Sequence, residues 1–151
     1  MSLSVQMKTQ MKNVDLLKQA LKALGLEAQA NQVLSDGKKG FKVREYGSKL
    51  TEATFGCTLP GKYDVGFIVK EVDSKKNPGF KETVIDMIGD NELFETHSNG
   101  TAGRAKIGQK GSKIVQEYTY LALQQQASLQ NASVEREFTQ DGTMKVHMYL
   151  S

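Results

Sequence analysis

Tryptophan is absent from this chain, proline appears twice and cysteine once. The lone Cys57 excludes an internal disulfide and any cysteine-rich metal site, which suits a reducing compartment. No apolar run approaches the roughly 20 residues that cross a bilayer. Met1-Ser2-Leu3-Ser4-Val5 lacks the apolar core of a signal peptide. These absences predict a cytoplasmic domain with no membrane contact. Only two histidines occur, His97 and His147, far apart in the chain, and such a pair does not make a metal site. Neither sign of charge dominates: 20 Lys and Arg against 17 Asp and Glu leave a net +3. That balance permits an acidic partner without demanding one. Cys57 has no base nearby in sequence and reads as a small apolar residue. Asp86, Asp90, Glu92 and Glu95 cluster around a loop, as scattered surface acids do. With no nucleophile–base pair and no ligand cluster, the sequence predicts no enzyme, no cofactor and no metal.

What is present is the pattern of one domain, residues 1–151, long enough to bury a core. Leu3, Val5 and Met7 alternate with polar residues, the period of a half-buried strand. Asn13 offers an N-cap, Asp15 suits the first turn, and Val14, Leu17, Ala20, Leu21 and Leu24 form a helical stripe. Gly25 is placed to end that helix at C′. Leu26 to Leu34 reads as a strand, Asp36-Gly37 as a turn, and Phe41 to Tyr46 as the returning strand. A loop-rich stretch follows, with a short edge strand at Thr54 to Leu59. Tyr63 to Val72 is a β-branched and aromatic strand, and Thr83 to Ile88 another, joined by a solvated turn.

The chain's organising stretch is Ser112 to Leu150. Ile114, Val115, Tyr118, Leu121, Ala122 and Leu129 recur at helical spacing from about Gly111. Strict alternation then surrounds Asp141-Gly142, a hairpin signal. The order strand, helix, strand, turn, strand therefore occurs twice, which reads either as an internal repeat or as chance recurrence of a common unit. The expected fold is α+β: an antiparallel sheet of about six to seven strands with two helices on one face. Leu17, Leu21, Leu24, Ile114, Tyr118 and Leu121 are its expected core stripe.

Several segments resemble a known family. Met7-Lys8-Thr9-Gln10-Met11-Lys12-Asn13-Val14-Asp15-Leu16-Leu17-Lys18-Gln19-Ala20-Leu21 is similar to the start of the hypothetical chloroplast reading frame thirty-five family, a bacterial and phage domain of unknown function. Tyr63-Asp64-Val65-Gly66-Phe67 resembles its Tyr-Asp-(apolar)-Gly-Phe strand. Lys113-Ile114-Val115-Gln116-Glu117-Tyr118 resembles its helix core, and Asp141-Gly142-Thr143-Met144-Lys145-Val146 its final hairpin. The chain departs from that pattern in having no tryptophan and in an insertion-like loop at 89–108. The family offers no established reaction. The genomic company of its members, an AAA-type ATPase, implies an accessory or adaptor role.

One stretch could hold an anion. Gly100 to Lys113 combines glycines, the basic residues Arg104, Lys106, Lys110 and Lys113, and Ser112 at a helix start. Gly103 and Gly108 have P-loop spacing, but Gln109 and Gly111 interrupt the Lys-Ser/Thr pair which that motif requires, so an NTPase is not expected. The plainer reading is a flexible basic loop that caps a helix. Lys8, Lys12, Lys38, Lys39 and Lys42 with Tyr46 could line a face for single-stranded nucleic acid, or simply protect a solvated sheet. The loop 89–108, with Gly89, Asn91, Asn99, Gly100, Gly103 and Gly108 and few apolar anchors, is expected to be mobile until a partner orders it. Two functions stay open: a non-enzymatic adaptor for a protein partner, of the AAA-type ATPase class that the resemblance implies, or a nucleic-acid or anion-binding module using loop 100–113.

Overall fold

A computed structural model describes residues 2–4, 11–45, 49–61, 63–90, 103, 106–108, 111–140 and 143–150. The fold is α+β. Among the described residues it has two helices, α1 (Val14–Ala23) and α2 (Ser112–Ser128), and nine strands. These are β1 (Ser2–Ser4), β2 (Gln32–Val33), β3 (Lys39–Arg44), β4 (Leu50–Ala53), β5 (Phe55–Cys57), β6 (Val65–Asp73), β7 (Lys81–Ile88), β8 (Ala132–Phe138) and β9 (Met144–Leu150).

Helix α1 follows its sequence signals closely. Asn13 accepts a hydrogen bond from the Leu16 amide at 3.1 Å, so the expected cap forms. At the other end Gly25 takes φ +76°, its amide donates to the Lys22 carbonyl and the Leu26 amide to the Leu21 carbonyl. This is a Schellman ending, which needs the left-handed residue that glycine supplies. The start of α1 is also held from a distance. The buried Tyr118 hydroxyl of α2 accepts from the amides of Lys12 and Asn13, each at 3.0 Å.

The strands do not form one large sheet. They form three antiparallel sheets of three strands: β1-β9-β8, β2-β3-β4 and β5-β6-β7. The expected sheet of six to seven strands is corrected on this point, for two physical reasons. First, the chain bends at Thr54, where its amide donates to the Phe67 carbonyl and its hydroxyl accepts from the Val69 amide. Ala53 and Phe55, two residues apart, then enter different cores. Second, α2 lies between two of the sheets rather than on one outer face. Ile114, Tyr118, Leu121 and Ala122 pack with Leu17, Ala20 and Leu21 of α1 against Phe55, Phe67 and Ile85. About a third of a turn round the helix, Glu117 and Tyr120 reach β8 through Arg136 and the Val134 carbonyl. The first core contains the expected stripe, with Leu17, Leu21 and Ile114 fully enclosed. Leu129, which continues the helical spacing in the sequence, lies beyond the helix end and is exposed.

A smaller core forms between β3-β4 and the other face of β6-β7, from Phe41, Val43, Ala53, Ile68 and Ile88. Close approach of these layers requires glycine at 66: a Cβ there would stand 2.3 Å from Val43 Cγ2 and 2.9 Å from Ala53 Cβ. The β2-β3 turn forms at Asp36-Gly37 as expected, with Gly37 at φ +83° and Asp36 accepting from the Lys38 amide. The strand expected over Leu26 to Leu34 shrinks to Gln32–Val33 and an isolated bridge from Gln29 to Gly56. The β8-β9 hairpin pairs over seven residues from Ala132↔Leu150 to Phe138↔Met144. Its expected turn residues, Asp141 and Gly142, lie outside the described residues. The order strand-helix-hairpin does recur, as β1-α1-β2-β3 and β7-α2-β8-β9. The pairings are not equivalent, because β1 joins β9 while β7 joins β6.

Candidate functional site

The glycine-rich basic stretch enters α2 through a tight turn. Gly108 and Gly111 both have positive φ, +80° and +72°, and the Gly111 amide donates to the Gly108 carbonyl at 3.1 Å. A Cβ on Gly108 would fall 2.3 Å from Ser112 Oγ and 2.8 Å from the Lys113 amide nitrogen. The helix start thus folds back over Gly108, which explains glycine there. Gly111 caps α2 with no side-chain hydrogen bond, and the first turn has no acidic residue.

Three of the candidate anion ligands are among the described residues, and Lys106 lies apart from Ser112 and Lys113. Ser112 is half-buried at the first helical position and Lys113 is exposed one residue on. Lys106 goes elsewhere: its ammonium lies over Gly25, 3.1 Å from where a Cβ would stand, at the C-terminal end of α1. A cation there meets the negative end of the helix dipole. Next to it Ile107 is fully enclosed in the first core. Arg104 and Lys110 lie outside the described residues, as does most of the 89–108 loop.

Other polar groups singled out by sequence are engaged in local pairs. Lys12 meets Glu82 at 3.4 Å, and Lys70 meets Asp86 at 2.6 Å. Lys42 sits opposite Glu52 across β3-β4. Lys8, Tyr46, His97, Glu92 and Glu95 lie outside the described residues. His147 faces Glu137 at 3.2 Å on the polar face of the β1-β9-β8 sheet. Cys57 is fully buried, and burial pushes its thiol up to about 12. No group of His, Cys, Asp and Glu among the described residues is arranged to hold a metal.

Sequence reading missed two polar clusters and one aromatic. Asp64, almost fully enclosed, accepts from Arg44 Nε at 2.9 Å, Arg44 Nη2 at 2.7 Å and the Arg44 amide at 3.2 Å. That bidentate pairing ties β3 to the start of β6 and raises the Arg44 guanidinium above its ordinary value, chiefly through the hydrogen bond. Arg136 of β8 lies over the Tyr120 ring, 4.2 Å from its centroid, and pairs with Glu117. The aromatic is Phe80, exposed beside the β6-β7 turn. Its only signal was an aromatic placed directly after the turn formers Asn77-Pro78-Gly79.

No family model, curated protein or solved structure matches this chain. No helix among the described residues is long and apolar enough to cross a membrane.

Proposed function

We propose that this chain is a non-enzymatic accessory or adaptor protein that works by binding a protein partner in the cytoplasm. The observation that carries this reading is the placement of its exposed apolar side chains. Leu129 at the end of α2 is 84% exposed, Leu150 75% and Tyr149 50%. Leu150 pairs with Ala132, and only the tight turn through Asn131 separates Ala132 from Leu129. Leu129 and Leu150 therefore belong to one end of the C-terminal layer, while Tyr149, next to Leu150 in β9, points to the opposite face. Grouped apolar surface of this kind is a common mark of a protein-contact site. The polar inventory supports the same reading, because Asp64 is taken up by Arg44 and Glu117 by Arg136. The family resemblance supplies the class of partner, an AAA-type ATPase.

Affinity capture with quantitative mass spectrometry tests this reading. An ATPase recovered at near-equal amounts with the wild-type chain, and lost with the double change Leu129→Asp and Leu150→Asp, is the expected result. Equal recovery by the variant, or no stoichiometric partner, defeats it.

A second reading, an anion or nucleic-acid contact at loop 100–113, draws support from the bare cap and acid-free first turn of α2. It predicts polyanion binding that weakens as salt rises and is reduced by Lys110→Glu with Lys113→Glu.

A further inference from the structure

The β6-β7 hairpin runs beyond the layer that covers it. Side chains of one face alternate along both strands. On that face Ile68 and Ile88 are packed against Phe41, Val43 and Ala53. Further out, Val72 is 36% exposed and Phe80 69% exposed. The tip is ordered by its own bonds. The Ser74 amide donates to the Phe80 carbonyl at 2.9 Å, the Phe80 amide to the Asn77 carbonyl at 3.1 Å, and Ser74 Oγ accepts from the Asn77 amide at 3.1 Å. Ser74, Asn77, Phe80, Lys81 and Glu82 line an open cleft of about 500 Å³.

Charge is sorted along the ribbon. The stem is neutralised pairwise: Lys70 with Asp86, Asp73 with Lys81, and Glu82 with Lys12. Glu71 pairs in register with Thr83 and so lies on the face opposite Phe80. Lys75 and Lys76 at the tip are exposed and have no ion-pair partner among the described residues. An unpaired lysine doublet thus stands beside an exposed ring and a cleft with hydroxyl and amide walls.

We infer that the tip of the β6-β7 hairpin is a contact site for single-stranded nucleic acid, with a base stacked on Phe80 and phosphates at Lys75 and Lys76. Each part of the site matches one part of that ligand. An aromatic face takes any unpaired base, lysines take phosphates, and Ser74 and Asn77 offer hydrogen-bonding groups to the base edge. A duplex offers no free base face to the ring. A bilayer is a poorer match, because the apex of the turn is Pro78-Gly79 and Phe80 is the one apolar residue lining the cleft, beside Ser74, Asn77, Lys81 and Glu82. The ordered turn lowers the entropic cost of binding.

Fluorescence anisotropy with a labelled oligothymidine of roughly twenty nucleotides, at about 50 mM salt, tests the site. The wild-type chain binds, and Phe80→Ala weakens binding about tenfold or more, the fold-change expected from one lost stack. Phe80→Tyr retains binding, Phe80→Leu does not, and Lys75→Glu with Lys76→Glu abolishes it. The logarithm of affinity falls with that of salt at a slope of about −1.4 to −2, for two to three phosphates. Lys22→Glu, on the exposed side of α1, changes nothing, and circular dichroism of all variants matches wild type. No binding at low salt overturns the inference. So does wild-type affinity in the Phe80 and lysine variants, and binding lost instead with Lys110→Glu and Lys113→Glu assigns the contact to the other loop. Capture by anionic phospholipid vesicles without capture by the oligonucleotide also overturns it. None of these results bears on recovery of an ATPase, which depends on Leu129 and Leu150.

Discussion

Cys57 lies in the first core with no exposed surface, and its surroundings oppose ionisation. Burial is the larger cause, and the carboxylates of Asp64 and Glu27 add to it, so the thiol moves from an ordinary 9.0 to about 12. Between those values the unfolded chain gives up the thiol proton while the folded chain keeps it. The unfolded state then binds fewer protons, so this group makes stability fall as pH rises from about 9 towards 12. Below that window its contribution is constant. Urea midpoints measured across the alkaline range should drop more steeply for the wild type than for Cys57→Ala. A thiol reagent at neutral pH should label Cys57 only on unfolding. Labelling of the folded protein at the rate of a free thiol would show that the residue is reached by solvent.

Local signals in this chain specify elements well and their partners poorly. Asn13, Gly25 and Asp36-Gly37 act within a few residues of themselves, and each forms what its chemistry requires. Alternation in β3, β6, β8 and β9 marks a buried face without saying which layer buries it. The division into three sheets depends on the bend at Thr54 and on α2 meeting both β8 and the first core, which are tertiary facts. The same limit hid the candidate sites. Lys106 stands among basic neighbours in sequence but packs on α1, and Phe80 follows a run of turn formers with no local signal of where its ring lies. Gly66 is where element and layer meet. An alanine there would push its Cβ into Val43 and Ala53, and both neighbours are short side chains held by strands, with little room to yield. We expect Gly66→Ala to cost about 1 to 3 kcal/mol, read from the urea midpoint, by prising β3-β4 from β6. An unchanged midpoint would mean that the two layers are not packed at this distance.

At the scale of the whole molecule, residues 89–111 join Ile88 at the end of β7 to Ser112 at the start of α2. A chain segment of that length would contribute little stability if it touched nothing. Ile107 changes the account for its last part. It is fully enclosed among the residues of α1, α2 and β5-β6-β7, beside Lys106 over the end of α1 and the Gly108 turn under Ser112. The approach to α2 is therefore fixed to the same core that α2 closes. Trypsin cleaves after lysine, but it must draw several residues around the bond into an extended form. Drawing out Ile107 would expose its side chain and leave a cavity, a loss of about 2 to 5 kcal/mol judged by large-to-small changes in cores. We expect the Lys106–Ile107 bond to survive limited trypsin treatment of the folded protein, and to become a cleavage site in Ile107→Ala. Mass spectrometry of the early fragments gives the answer. A first cut after Lys106 in the wild type would mean that Ile107 is not an anchor, and that the stretch leading into α2 is free to reorganise around an anion.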